Sequence, residues 1–190
     1  MTLVLVDLVR NTKNVMGNKM EQIENINQPL QQEILAMVEV DQNMRETNQC
    51  DPEIDRQNAL RMKEIITEFG WPGKSLVGAE AAYGAWLLIQ HADHDIDFQK
   101  QALELLKEAT TKGEAEKKNE AYLTDRILVN SGRPQIFGTQ FYTDDQGNFG
   151  PRPIENIEEL NKRREEVGLG KFSDYEQEMQ ELEKKLQEKK

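Results

Sequence analysis

A chain of 190 residues carrying 35 acidic and 24 basic side chains, net charge −11, can bury one core of its own. It is too acidic for sequence-independent binding to nucleic acid or to an anionic membrane. Apolar residues are 37% and charged residues 31%, so a compact core lies under a heavily charged surface, whose plainest purpose is solubility. The one cysteine, Cys50, excludes an internal disulfide and a cysteine-rich zinc site, and fits a reducing compartment.

The first residues include Leu3, Val4, Leu5, Val6, Leu8 and Val9. This apolar run is too short to span a bilayer and lacks the basic start and small-residue cleavage site of a secretory signal. A soluble, cytoplasmic protein is expected. Residues 1–27 read as a tail, or as an arm that docks on a second copy. Residues 28–172 read as a helical core domain and 173–190 as a charged C-terminal helix.

Pro29 sits where a helix starts, and Leu30, Ile34, Met37, Val38, Asp41 and Arg45 follow at helical spacing. Asp41 and Arg45 are four apart and share a face, either as a charge pair aimed into a pocket or as an ion pair at the core margin. Asp51 and Pro52 open the next helix as N-cap and first-turn proline, and Gly70 stops it. Trp71 to Ser75 is a loop. Its Gly73-Lys74-Ser75 lacks the leading glycine, the spacer and the preceding strand of a phosphate loop.

Gly78 to Ala92 is apolar or small on every side, the mark of a central helix. It ends in Gln90-His91-Ala92-Asp93-His94-Asp95. His91 follows Leu87 by one turn and so faces inward, where the negative helix end and nearby carboxylates favour its charged form. Such a histidine can be an acid, a base or an anion binder; it can also be a satisfied core residue. His91, His94 and Asp95 hint at a metal, but Asp125 is the only further candidate ligand. No metal and no cofactor is expected. Asp95 caps the following helix, whose inner stripe is Phe98, Ala102, Leu105 and Ala109.

The stretch from Tyr122 to Gln140 is the most unusual in the chain. Asp125 and Arg126 interrupt an apolar helix, and each must be paired if buried. As neighbours they diverge by roughly 100°, so their partners differ. Arg126 is expected to meet Asp41 or a ligand anion, and Asp125 to orient His91. Beyond Gly132, Gln135 to Tyr142 is strand-like in composition, 143–148 turn-like, and 149–154 a short returning strand. Gly138 permits a close approach of backbone to a ligand or a helix. Gln135, Thr139 and Gln140 could orient a polar ligand or tie down the hairpin itself. A helix over Glu155–Val167 carries Arg163 and Arg164. The last helix repeats Tyr175, Met179, Leu182 and Leu186, a narrow stripe that covers a groove or pairs with a second copy.

Five motifs in order, Gly-Trp-Pro (70–72), Gln-His-Ala-Asp (90–93), Tyr-Leu-Thr-Asp-Arg (122–126), Gly-Arg-Pro-Gln-Ile-Phe-Gly-Thr-Gln (132–140) and Arg-Arg-Glu-Glu-Val-Gly-Leu (163–169), resemble an uncharacterised bacterial domain family, number 6624 among the domains of unknown function. The similarity covers about residues 33 to 180. It implies no reaction. It implies that Asp41, Arg45, His91, Asp93, Asp125, Arg126, Gln135, Gly138, Thr139, Gln140, Arg163 and Arg164 belong to the family's pattern. His94 is outside that pattern, and Phe137 stands where tyrosine is more usual.

The expected fold is mainly α: six or seven helices with a small β-hairpin insert. The expected core includes Ile34, Met37, Ile65, Phe69, Tyr83, Trp86, Leu87, Phe98, Leu105, Leu123 and Ile127. Three functions fit. In the first, a hydrolase acts on a small polar or anionic substrate, with His91 as acid/base, Asp125 orienting it and Arg126 holding an anion. Asp41, Arg45, Gln135, Thr139 and Gln140 then line the ligand, and water is the attacking group. In the second, the same pocket binds without turnover. In the third, the polar residues are a buried network that fixes the fold of an interaction module.

Overall fold

The computed structural model describes residues 26–47, 49 and 51–188. The expected arm therefore lies outside the described residues up to residue 25, as does Cys50. The fold is mainly α, with seven helices and one small hairpin among the described residues.

Local chemistry sets most element boundaries. Helix α1 (Gln28–Glu46) is capped by Asn27, whose side chain accepts from the Leu30 amide at 3.2 Å, with proline in its first turn. Helix α2 (Pro52–Phe69) is capped by Asp51 and stopped by Gly70 at φ 74°, where a side chain would be strained. Helix α3 (Lys74–Gln90) begins one turn earlier than expected and bends at Gly78, whose φ of 79° is not helical. Helix α4 (Ile96–Thr111) is capped by Asp95, which accepts from the Phe98 amide at 2.9 Å. Helix α5 (Lys117–Asn130) follows.

The hairpin pairs β1 (Phe141–Thr143) with β2 (Phe149–Pro151) antiparallel, Tyr142 opposite Gly150. It is shorter than its composition suggests. Residues 135–140 form a tied loop, with one parallel bridge from Gln135 to Ile154. The helix expected over 155–167 splits into a 3₁₀ turn (Ile157–Glu159) and α6 (Leu160–Glu166). Helix α7 (Phe172–Gln187) follows, leaving Leu182 and Leu186 half-exposed.

Cross-links between elements fix the helix directions. The Asn27 amide donates to Leu76 O (2.8 Å) at the start of α1 and α3, and Arg45 meets His91 at their ends. Trp86 Nε1 donates to Asn119 O (3.1 Å) and Gln90 Nε2 to Tyr122 O (3.3 Å). Helices α1, α3 and α5 therefore run parallel, with α2 and α4 returning antiparallel. Helix α3 is central, as its lack of a polar face predicts. A Cβ on Gly84 would stand 2.7 Å from Val38 Cγ2, so glycine is what lets α1 lie this close.

The core contains Ile34, Ile65, Trp86, Phe98, Leu123 and Ile127 as expected. Two expected members are corrected: Phe69 is 38% and Tyr83 49% exposed. Phe69 is at the last position of α2, and Tyr83 lies at the edge of the core with its ring against Trp86. On α4, Leu103 and Leu106 are buried, while Leu105 is only partly so. No helix among the described residues is long and apolar enough to cross a membrane.

Candidate functional site

Parallel packing brings the C-terminal ends of α1, α3 and α5 to the same end of the bundle as the first turns of α2 and α4. That end is polar. Asp41 and Arg45 come from the last turns of α1, Asp55 from the first turn of α2, His91 from the end of α3, Asp93 from the loop after it, and Arg126 and Asn130 from α5.

Asp41 is fully buried, and both its oxygens approach His91 Nδ1, at 3.0 and 2.9 Å. Arg45 Nη2 reaches Asp41 (3.1 Å) and Asp55 (2.6 Å), and its Nε lies 3.0 Å from His91 Nδ1. These contacts define alternative proton placements. If Nδ1 carries its proton, it donates to Asp41 and the lone pair of Nε2 points away. If it does not, it accepts from Arg45. The imidazole is 14% exposed, and all its contacts to the described residues are made through Nδ1. Burial pushes Asp41 up, but His91 and Arg45 outweigh it and hold its carboxyl below the usual range. For Asp55 burial wins over Arg45, aided by Asp41 and Asp93, and the carboxyl is raised.

Of the two partners expected for Arg126, Asp41 or a ligand anion, Asp41 is not one that it meets. It clasps Asp93 with two bonds, Nε at 2.7 Å and Nη2 at 2.5 Å, and its Nη1 reaches Gln140 Oε1 at 3.3 Å. Asn130 adds a third donor to Asp93 at 2.7 Å. The Asp93 amide in turn donates to His91 O at 2.9 Å, which ties this clasp to the His91 cluster. Burial pushes Asp93 up, but Arg126 and Asn130 overcome it and lower the carboxyl. A carboxylate with a lowered folded value contributes stability that is present above the unfolded value, about 3.9, and is lost as pH falls through the folded one. Replacing Asp93 with asparagine is therefore expected to cost about 1 kcal/mol at pH 7, because the pair is half-exposed. That cost should shrink in chemical denaturation curves as pH falls below about 3.9. A gap that does not narrow with acidification would contradict the assignment.

The second correction concerns Asp125. It does not orient His91. It is fully buried and turned the other way, onto the loop after α5. Its carboxylate accepts from the amides of Ile136 (2.7 Å), Phe137 (3.0 Å) and Thr139 (3.0 Å) and from the Thr139 hydroxyl (2.9 Å). Burial pushes it above the usual range, and these donors pull it only partly back. Gln135 is likewise fully buried. Its Nε2 donates to Gln140 O (2.9 Å) and Arg152 O (2.8 Å), and its Oε1 accepts from the Gln140 amide (2.8 Å).

The carbonyls of the same loop are taken by α6. Arg163 Nε donates to Ile136 O at 2.9 Å, and Arg164 Nη1 to Phe137 O at 2.7 Å. Gly138, at φ 69°, lets the loop press on α7: a Cβ there would meet the Phe172 ring at 2.8 Å. The residues singled out in the sequence thus divide. Asp41, Arg45, His91, Arg126 and Gln140 belong to the polar end, while Asp125, Gln135 and Thr139 form a backbone knot beside it.

Sequence reasoning misses Asp55 and Asn130. Their signal is the five-residue link 47–51, which forces the start of α2 beside the end of α1, and the one-turn spacing of Asn130 from Arg126. Among the described residues no group of three or more His, Cys, Asp or Glu side chains could hold a metal ion.

A helical bundle with a knotted loop and a histidine–carboxylate end defines the class of protein here. The chain belongs to the family described as "Family of unknown function (DUF6624)", which matches residues 28–186. No match was found among curated proteins or among solved structures.

Proposed function

We propose that the polar end of the bundle is the active site of a small-molecule hydrolase acting on a polar or anionic substrate. The observation that supports it best is the pair of His91 and Asp41. A fully buried carboxylate holds Nδ1 at 2.9 Å, and the imidazole keeps 14% of its surface exposed. That is the arrangement in which a carboxylate fixes a histidine's tautomer and orientation and leaves the far nitrogen as base. His91 Nε2 takes a proton from the attacking water and returns it to the leaving group. Asp41 replaces Asp125 as the orienting residue. Arg126 and Gln140 hold the substrate's anionic group, and Arg45 steadies Asp41. The setting is cytoplasmic, in keeping with the single cysteine.

Binding without turnover is favoured by a different observation. No hydroxyl or thiol among the described residues contacts His91, and Asp93 already engages Arg126. The two readings separate in a hydrolysis assay with p-nitrophenyl acetate, p-nitrophenyl phosphate and an anilide. Hydrolysis is expected in the wild type, with kcat falling by about 100-fold or more in His91→Ala and KM nearly unchanged. Asp41→Asn should fall less, because the ring stays in place while its tautomer is no longer fixed. Equal rates in wild type and His91→Ala would sink the catalytic reading.

A further inference from the structure

Among the described residues of this acidic protein, the arginines are almost all spoken for. Arg56 and Arg61 pair with glutamates and Arg126 with Asp93, Arg45 is engaged by Asp41 and Asp55, and Arg163 and Arg164 donate to backbone carbonyls. Among the described residues, the guanidiniums of Arg133 and Arg152 alone meet neither a carboxylate nor a carbonyl. Both line the same cleft. It has a volume of about 270 Å³ and is walled by Val129, Gly132, Pro134 and Pro153 besides the two arginines.

We propose that this cleft, between the last turn of α5 and the segment leaving β2, binds a small organic anion: a phosphate or carboxylate carried on a flat apolar body. Two exposed guanidiniums on one cleft supply forked donors for an anion's oxygens. Val129 and the two proline rings supply an apolar wall for the group that carries it. The frame is stiff before any ligand arrives. The Arg133 amide donates to Leu128 O (2.9 Å) and the Arg152 amide to Gln140 O (2.9 Å). Gln135 holds the other edge, its amide on Pro153 O (2.9 Å) and its side chain on Arg152 O. The Arg152 guanidinium is parked over the Tyr142 ring at 4.1 Å, a contact that limits its freedom while leaving its N–H edges open. Gln135 thus shapes a ligand site through the backbone that it fixes, without touching the ligand. None of the cleft's lining residues belongs to the His91 cluster, so the proposal does not rest on the His91 reading.

The test is an amide NMR titration of the full chain with phenyl phosphate, inorganic phosphate and phenol. Saturable shifts are expected for residues 129–135 and 152–153 with phenyl phosphate. Affinity should be about 10-fold weaker for inorganic phosphate and for phenol, each of which offers half the chemistry. Arg133→Ala and Arg152→Ala should each weaken phenyl phosphate by about 10-fold, with Arg152→Lys intermediate, because lysine keeps the charge and loses the fork. Neither side chain makes a hydrogen bond to the described residues, so these variants should fold as the wild type does. His91→Ala should bind phenyl phosphate unchanged. Absence of saturation by about 10 mM, or equal affinity in wild type and both alanine variants, overturns the proposal.

Discussion

Asparagine in place of Asp125 is expected to destabilise the protein by about 2–4 kcal/mol, although the side chain keeps its size and shape. The carboxylate accepts from three backbone amides and a hydroxyl, all within 3.2 Å, at a site with no exposure. Asparagine keeps one acceptor oxygen and turns an NH₂ toward groups that are themselves donors. Whichever way it turns, one backbone amide, Ile136 or Thr139, loses its acceptor and faces the NH₂, at about 1–3 kcal/mol, and the bonds that remain lose the help of the charge. At about 2–4 °C per kcal/mol for a chain of this size, the thermal midpoint should drop by roughly 5–15 °C. The lesion should be local first, with amide exchange at Ile136, Phe137 and Thr139 accelerating more than exchange in α3. Uniform acceleration, or a loss below about 1 kcal/mol, would mean that Asp125 does not hold the loop.

Arg164→Lys is expected to cost about 2–3 kcal/mol although the charge is retained. Arg164 is 2% exposed and has no carboxylate partner among the described residues. Its charge is compensated by carbonyls, at 2.7 Å to Gly170 O and 2.7 Å to Phe137 O, and by the faces of Tyr175 (5.0 Å) and Phe172 (5.8 Å). Burial lowers its pKa, as it must for a cation taken from water. A planar guanidinium can span two carbonyls on opposite sides while stacking on a ring. An ammonium is a point charge, more strongly hydrated, and can satisfy only one of these at a time. Denaturation in urea should show a lower midpoint at unchanged slope. A change within about 0.5 kcal/mol would show that the fork is dispensable.

These two residues act on the same four-residue loop from opposite sides. Asp125 gathers its amides and Arg164, with Arg163, gathers its carbonyls. Opposite buried charges are thereby joined through peptide dipoles, without a direct ion pair. The loop presents Gln140 to Arg126 on one side and the Arg152 backbone on the other. Both candidate sites, the His91 end and the Arg133–Arg152 cleft, depend on it for their geometry.

Much of this was written in local sequence. Helix starts at Asn27, Asp51 and Asp95 and the stop at Gly70 follow from side chains that bond their own neighbouring amides, or from a φ that only glycine accepts readily. The i, i+4 pairing of Asp41 with Arg45 is likewise local. The central place of α3 was legible because a helix with no polar face has nowhere else to go. The partner choices were not legible. Asp125 and Arg126 had to point apart, but only the parallel packing of α5 on α3 decided that Arg126 meets Asp93 and that Asp125 turns to the loop. The segment 135–140 has strand composition. It is no strand because a buried carboxylate and two arginines claim the amides and carbonyls that a ladder would use. Sequence alone determined which residues are charged where charge is costly. Tertiary structure alone decided which charge answers which, because burial forces pairing while helix packing selects the pair.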